Sequence, residues 1–185
     1  MTASVIVKVD RLAEVVKSIN ALTGKDVLVG IPDTMTERKP DEEADHGPMT
    51  NATLGYIHEF GSPAANIPAR PFLIPGVKDG RKQYENRLKK AAQLALDGNT
   101  SGVEAQLSMA GQEARDAVKA KINSGGFEPL ADATLRRRAA KGRKGAAAEL
   151  ASRRAGNAPG TDLAKPLIDT GQLRNSITYV VRGKK

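Results

Sequence analysis

Residues 167–185 read LIDTGQLRNSITYVVRGKK, and this stretch decides the fold class. Asp169-Thr170-Gly171 has the composition of a tight turn, and a short helical turn is expected at Gly171–Arg174. From Ser176 to Val181 every second residue is Ile, Tyr or Val, which predicts a final β-strand. The chain therefore ends in a turn, a short helix and a strand that needs a partner strand elsewhere.

Two further strands are predicted near the start of the chain, at Ser4–Val9 and Asp26–Ile31, where valines recur. Apolar residues at helical spacing predict helices over residues 10–22, 51–60, 77–96, 101–123 and from Ala131 onward. The first is expected to begin after a cap at Asp10, and the fourth opens on Ser101-Gly-Val-Glu104, which has the form of a capping box. This order predicts one α+β domain over residues 1–185, with a small, mostly antiparallel sheet packed by several helices and with long mobile loops.

Composition limits the chemistry. Only 39% of the residues are apolar, and there are three Phe, three Tyr and no Trp, so the core must consist of Ala, Leu, Val and Ile. Such a core predicts modest stability in isolation and further burial against neighbouring subunits. The chain has no cysteine, which excludes disulfides and thiolate zinc sites. It shows neither a secretory signal nor an apolar run of about 20 residues, so we expect no membrane partner and assembly in a host cytoplasm.

The net charge of +8 is unevenly distributed. An acidic loop is predicted at 32–50, where residues 32–48 hold six acids and two bases and carry a net charge of −4. Residues 136–154 hold eight bases and one acid, Glu149, and carry +7. The bases are Arg136, Arg137, Arg138, Lys141, Arg143, Lys144, Arg153 and Arg154. A flexible basic insertion is predicted over 136–165, because Lys141–Pro166 is rich in Gly, Ala, Arg and Pro.

This basic segment has three interpretations. It binds phosphates of nucleic acid without reading sequence, it docks on an acidic protein surface, or it is a solvated loop. No aromatic residue lies between Arg136 and Arg154, which argues against base stacking.

The segment Ile67-Pro-Ala-Arg70-Pro-Phe72 contains two prolines, each of which restricts itself and the residue before it to extended geometry. A stiff backbone of this kind would hold Arg70 and Phe72 in fixed directions. We therefore predict that both residues are interface anchors.

Asp169-Thr170-Gly171 after Leu167-Ile168 resembles the aspartate turn of aspartic proteases, where two such aspartates share a proton. Only Gln172–Lys185 follows, which is too short for the rest of a protease lobe. The alternative is a structural turn in which Asp169 caps the next helix and Gln172 completes the box. His46 and His58 lie in separate segments without HExxH spacing, and no phosphate-binding glycine loop occurs, so neither a metal site nor a nucleotide site is predicted.

Two stretches carry a family resemblance. The first is Tyr56-Ile-His-Glu-Phe-Gly61 followed by Ile67-Pro-Ala-Arg-Pro-Phe-Leu73. The second is Phe127-Glu-Pro-Leu130 with Thr134, then Lys165-Pro-Leu-Ile-Asp-Thr-Gly171 and Leu173-Arg-Asn-Ser-Ile177. In order and spacing they are similar to the phage virion morphogenesis and tail-completion (neck, minor tail) family.

The resemblance implies an α+β protomer of a homo-oligomeric ring, commonly hexameric, at the head–tail junction of a tailed phage virion. It implies neither catalysis nor a cofactor. The implied partners are further copies of the chain and the neighbouring neck, tail-tube or tail-terminator proteins, with non-specific contact to genomic DNA. The insertion between Thr134 and Lys165 departs from shorter family members. The charge of that insertion motivates an alternative function, a basic nucleic-acid-binding accessory protein.

Overall fold

A computed structural model describes residues 10–33 and 49–184 of the chain. Within these ranges the elements are α1 Leu12–Thr23, β1 Lys25–Gly30, α2 Asn51–Phe60, a 3-10 turn Pro63–Ala65, α3 Leu73–Asp79, α4 Arg81–Leu96, α5 Thr100–Ser124, α6 Asp132–Ala140, α7 Lys144–Arg154, α8 Gln172–Ser176 and β2 Thr178–Gly183. The two strands form one antiparallel pair. The predicted α+β class is confirmed.

The described residues form two compact units, where the sequence predicts a single domain. The first comprises residues 10–29, 81–114 and 179–184, and the second comprises the described residues of 30–80 and residues 115–178. Helix α5 supplies residues to both units.

The first unit has an apolar core of small and branched side chains. Ala95, Val103 and Leu107 are buried there, and partly buried residues of α1, β1 and β2 pack against them. The ring of Tyr179 in β2 lies against α5 at Gly111, where a Cβ atom would come within 2.3 Å of the ring. The Tyr179 hydroxyl and Ser108 Oγ form a hydrogen bond of 2.8 Å. Glycine at 111 is therefore required for the strand to approach this helix closely.

The second unit has its largest buried side chains at Phe72, Ile122, Leu135 and Ile177. A cluster around Leu135 joins α6 to α7; it comprises Leu130, Leu135, Ala146, Leu150 and Ala164. The segment 136–165, which was predicted as a flexible insertion, thus contains a packed helix. Helix α7 occupies Lys144–Arg154, and its apolar face is buried.

Two predictions in the middle of the chain differ from the structure in more than the exact end of an element. The helix predicted over 77–96 is two helices, α3 and α4, which are separated at Gly80. The predicted capping box at Ser101 and Glu104 is wrong, because Asn99 Oδ1 accepts the Gly102 amide at 2.9 Å. Glu104 instead pairs with Lys25 of β1.

The predicted strand Ser4–Val9 and most of the acidic loop 32–50 lie outside the described residues. Within the described ranges, no helix combines the length and the apolar character needed to cross a membrane.

Candidate functional site

Arg70 and Phe72, predicted as interface anchors, are buried inside the second unit, with exposed fractions of 6% and 1%. The guanidinium of Arg70 donates from Nε to the carbonyl oxygen of Glu128 at 2.8 Å and from Nη2 to that of Pro129 at 3.0 Å. Both side chains therefore make contacts inside the unit, and their role as interface anchors stays a prediction. Arg70 ties the proline-rich segment to the turn that precedes α6, and Phe72 fills the core.

Glu59, near the end of α2, holds the start of α3. One of its carboxylate oxygens accepts the amides of Phe72 at 2.7 Å and Leu73 at 2.8 Å, and the other accepts that of Ile74 at 3.0 Å. The first amides of a helix have no partner within the helix, so a buried carboxylate is well suited to bind them. The sequence places Glu59 in the first resembling stretch, residues 56–61, but gives no signal of this role.

Arg138 of α6 holds the backbone that leads into the Asp-Thr-Gly turn. Its Nη1 donates to the carbonyl oxygens of Lys165 at 3.0 Å and Ile168 at 3.1 Å, and its Nη2 donates to that of Pro166 at 2.9 Å. A planar guanidinium suits this task because its donors diverge in one fixed plane. The side chain that was predicted to meet an anionic partner binds this protein's own carbonyl groups.

The turn Asp169-Thr170-Gly171 is structural, but it differs from the predicted cap. Gly171 adopts the left-handed conformation with φ 81° at the start of α8, and no side-chain cap hydrogen bond forms there. Asp169 Oδ1 accepts instead from Arg143 Nε at 2.9 Å. The proposed cap by Asp169 is therefore wrong, and its carboxylate has an arginine where a protease dyad would have a second aspartate.

Arg153 and Glu149 of α7 form the most buried ion pair of this region. Arg153 Nε donates to Glu149 at 2.9 Å, and its Nη1 donates to Asp132 at 2.7 Å and to the Leu130 carbonyl at 2.9 Å. The same Glu149 oxygen accepts the amide of Gly160 at 2.8 Å. The Gly160 amide lowers the pKa of Glu149, and Arg153 lowers it further, against the raising effect of burial.

The basic segment is therefore partly neutralised within the fold. Arg138, Arg143 and Arg153 are bound by carbonyl or carboxylate oxygens, while Arg136 lies 3.9 Å from Asp132 with 68% of its side chain exposed. The other exposed arginines of the segment are Arg137, Arg143 and Arg154. Of the eight bases of the segment, only Arg138 and Arg153 are half-buried, and the other six are exposed.

A cavity of about 310 Å³ opens in the second unit between α2, α6 and the Asp-Thr-Gly turn. Its charged lining is Arg70, Arg137, Arg138, Lys141 and Asp169. Burial lowers the pKa of Arg138, and the positive charges of Arg137, Arg143 and Arg70 lower it further, while Asp169 raises it. Four cations thus surround one carboxylate, and that carboxylate is already bound by Arg143.

This cavity was not predicted as a site, although the sequence contains its parts. Arg70 and Arg138 belong to two segments that are far apart in the chain, and no local pattern connects them. Among the described residues, no group of three potential metal ligands forms, and His58 lies at the cavity wall.

Comparisons of the chain with protein-family models, with curated proteins and with solved structures find no match.

Proposed function

We propose that this chain is a structural protein of a tailed phage, which forms a ring at the head–tail junction during virion assembly. The proposal starts from the resemblance of residues 56–73 and 127–177 to the tail-completion and neck family. It places the protein in the tail or neck of the virion and assigns it no catalysis.

One observation carries the proposal: the two resembling stretches bind each other directly. Arg70 of the first stretch donates two hydrogen bonds to the backbone of the second, at Glu128 and Pro129. Asp169, the residue closest to a catalytic motif, binds Arg143. The shared residues thus build a scaffold, which is the use expected of motif residues in a family without catalysis.

The alternative is a basic nucleic-acid-binding accessory protein. It draws on Arg136, Arg137 and Arg154, which are exposed, since phosphate contacts require only accessible cations. The neutralisation of Arg143 and Arg153 by carboxylates leaves less free charge than the sequence indicates and favours the structural proposal.

The test is to delete the coding sequence from the phage genome and to examine the particles by electron microscopy. We expect filled heads and separate tails, restored by the gene in trans, and we expect antibodies against the protein to label the neck or the tail end. Normal particles without the protein would refute the proposal. Steeply salt-dependent binding of DNA by a protein absent from particles would establish the alternative.

A further inference from the structure

The lining of the cationic cavity has more positive than negative groups, with four cations beside the single carboxylate of Asp169. Arg70 and Arg138 donate to five backbone carbonyl groups, which accept hydrogen bonds but carry no unit charge. Burial also lowers the pKa of Arg70, while the negative charge of Glu128 raises it. Buried cations are normally paired with anions, because removing an unpaired charge from water is costly.

The cavity's shape and lining favour a peptide over nucleic acid. Duplex DNA presents a charge roughly every 1.7 Å along a rod, so it favours an extended basic surface over a concave cavity. Single strands favour aromatic platforms, and none of the lining residues is Phe, Tyr or Trp. Leu54, Ile67 and Leu167 line the cavity beside the cations. This mixture fits a carboxylate side chain whose neighbours are partly apolar.

The chain itself contains a segment of this chemistry. Residues 33–45 hold six carboxylates, with Met35 and Pro40 among them. A closed ring is built by repeating one heterologous contact, in which one surface of each copy meets a different surface of the next. An acidic segment and a cationic cavity are such a pair of surfaces.

We propose that the cationic cavity is an interface site, and that the acidic segment 33–45 of a second copy of the chain binds in it. This inference rests on the proposed ring and names the contact that closes it. The carboxylates of the segment meet Arg137 and add negative charge to a lining in which four cations face the one carboxylate of Asp169.

The first experiment measures self-association of the full chain by analytical ultracentrifugation. The cavity variant is Arg137→Glu, which reverses an exposed charge and leaves the carbonyl bonds of Arg138 intact. The segment variant replaces the acids with their amides at Asp33, Glu37, Asp41, Glu42, Glu43 and Asp45. The control is Arg136→Glu, which makes the same charge change one residue away, outside the cavity lining.

We expect each of the first two variants to need at least roughly tenfold higher concentration to associate, and the control to resemble the unchanged chain. A mixture of the cavity and segment variants should form dimers, because each supplies the surface that the other lacks. Monomers in that mixture, or unchanged association of Arg137→Glu, would overturn the proposal. Loss of association in both variants without rescue would point to docking within one chain, which also overturns it.

The second experiment measures anisotropy of a fluorescent peptide of residues 32–50 with the full-length segment variant as receptor. We expect saturable binding, weakened at least roughly tenfold by Arg137→Glu and unchanged by Arg136→Glu, and no binding of a peptide whose acids are amides. A duplex oligonucleotide that binds through Arg137 while the peptide does not bind would overturn the inference. Peptide binding by a chain absent from particles would instead refute the proposed function and leave the cavity assignment standing.

Discussion

Inside the first unit, regular elements pack through apolar side chains; inside the second, buried charged side chains hold irregular backbone. In the first unit, elements α1, α4 and the strand pair contribute side chains to the core around Ala95, Val103 and Leu107. Its ion pairs Arg11–Glu14 and Arg81–Glu85 are exposed, and Arg87–Glu113 is half-buried. In the second, long stretches between helices leave backbone groups without ladder partners, and Glu59, Arg70 and Arg138 bind them. Removing a charged side chain should therefore lower the free energy of unfolding little in the first unit and much in the second.

The largest effect is expected for Glu59→Ala. The substitution leaves the amides of Phe72, Leu73 and Ile74 without their acceptor in a buried place, so we expect a loss of about 3–4 kcal/mol in the free energy of unfolding. Glu85→Ala, which breaks an exposed pair with Arg81 in the first unit, should cost less than about 1 kcal/mol. Urea denaturation with amide hydrogen exchange of α3 measures both. Equal losses for the two variants would contradict the comparison.

Arg138→Met should follow, with a loss of about 2–3 kcal/mol, because three carbonyl groups lose their donor. The loss of stability for Arg138→Lys should lie between zero and that of Arg138→Met, since one ammonium group lacks the planar fork that reaches three acceptors at once. The matched change in the first unit, Arg81→Met, should cost less than about 1 kcal/mol. If Arg138→Lys equals the unchanged protein in urea denaturation, the fork geometry is not what matters.

In the first unit, stability should depend on how closely side chains pack. Gly111→Ala places a Cβ within 2.3 Å of the Tyr179 ring, and we expect a loss of about 1–3 kcal/mol even though alanine favours the helix. The matched change in β2 is Gly183→Ala, where the nearest atom to the added Cβ is the Gly24 carbonyl oxygen at 3.9 Å, and it should stay within about 0.5 kcal/mol. A double-mutant cycle with Tyr179→Ala measures the coupling. Additive losses would show that the ring contact is not the cause.

The difference between apolar packing and charged side chains also explains how much of the fold could be predicted from the sequence. Helix α5 was predicted because Val103, Leu107, Val118 and Ile122 follow helical spacing over its length, and β2 because its residues alternate. Helix α7 was missed because its glycine and arginine content suggested a loop. Ala146 and Leu150, four residues apart, were the available signal.

The charged side chains that hold the second unit could not be predicted in the same way. Arg138 binds the carbonyl groups of Lys165, Pro166 and Ile168, and a backbone carbonyl has no signature in the sequence. Arg70 was selected for its stiff surroundings, but only the fold shows that its donors turn inward to Glu128. The sequence predicted which residues matter at these positions better than it predicted what they contact.

The smallest effect expected is a pH dependence that belongs to the second unit. The Gly160 amide and Arg153 lower the pKa of Glu149 in the folded state from its ordinary value of about 4.5. The unfolded chain therefore binds more protons near that pH. The stability that Glu149 contributes is present above its unfolded pKa and is lost as the pH falls through the folded value. The stability gap between the unchanged protein and Glu149→Gln should narrow on acidification, by at most about 1.4 kcal/mol per pH unit.

Urea denaturation at several pH values from 6 down to the acid limit of the fold measures this gap. Glu14→Gln, which alters an exposed pair with Arg11 in the first unit, is the control and should leave the pH profile nearly unchanged. A gap for Glu149→Gln that stays constant with pH would mean that Glu149 stabilises the second unit by packing and hydrogen bonding alone. In that case the two units would differ in how side chains bind backbone groups and not in the use of charge. The buried carboxylate would then gain nothing from being ionised.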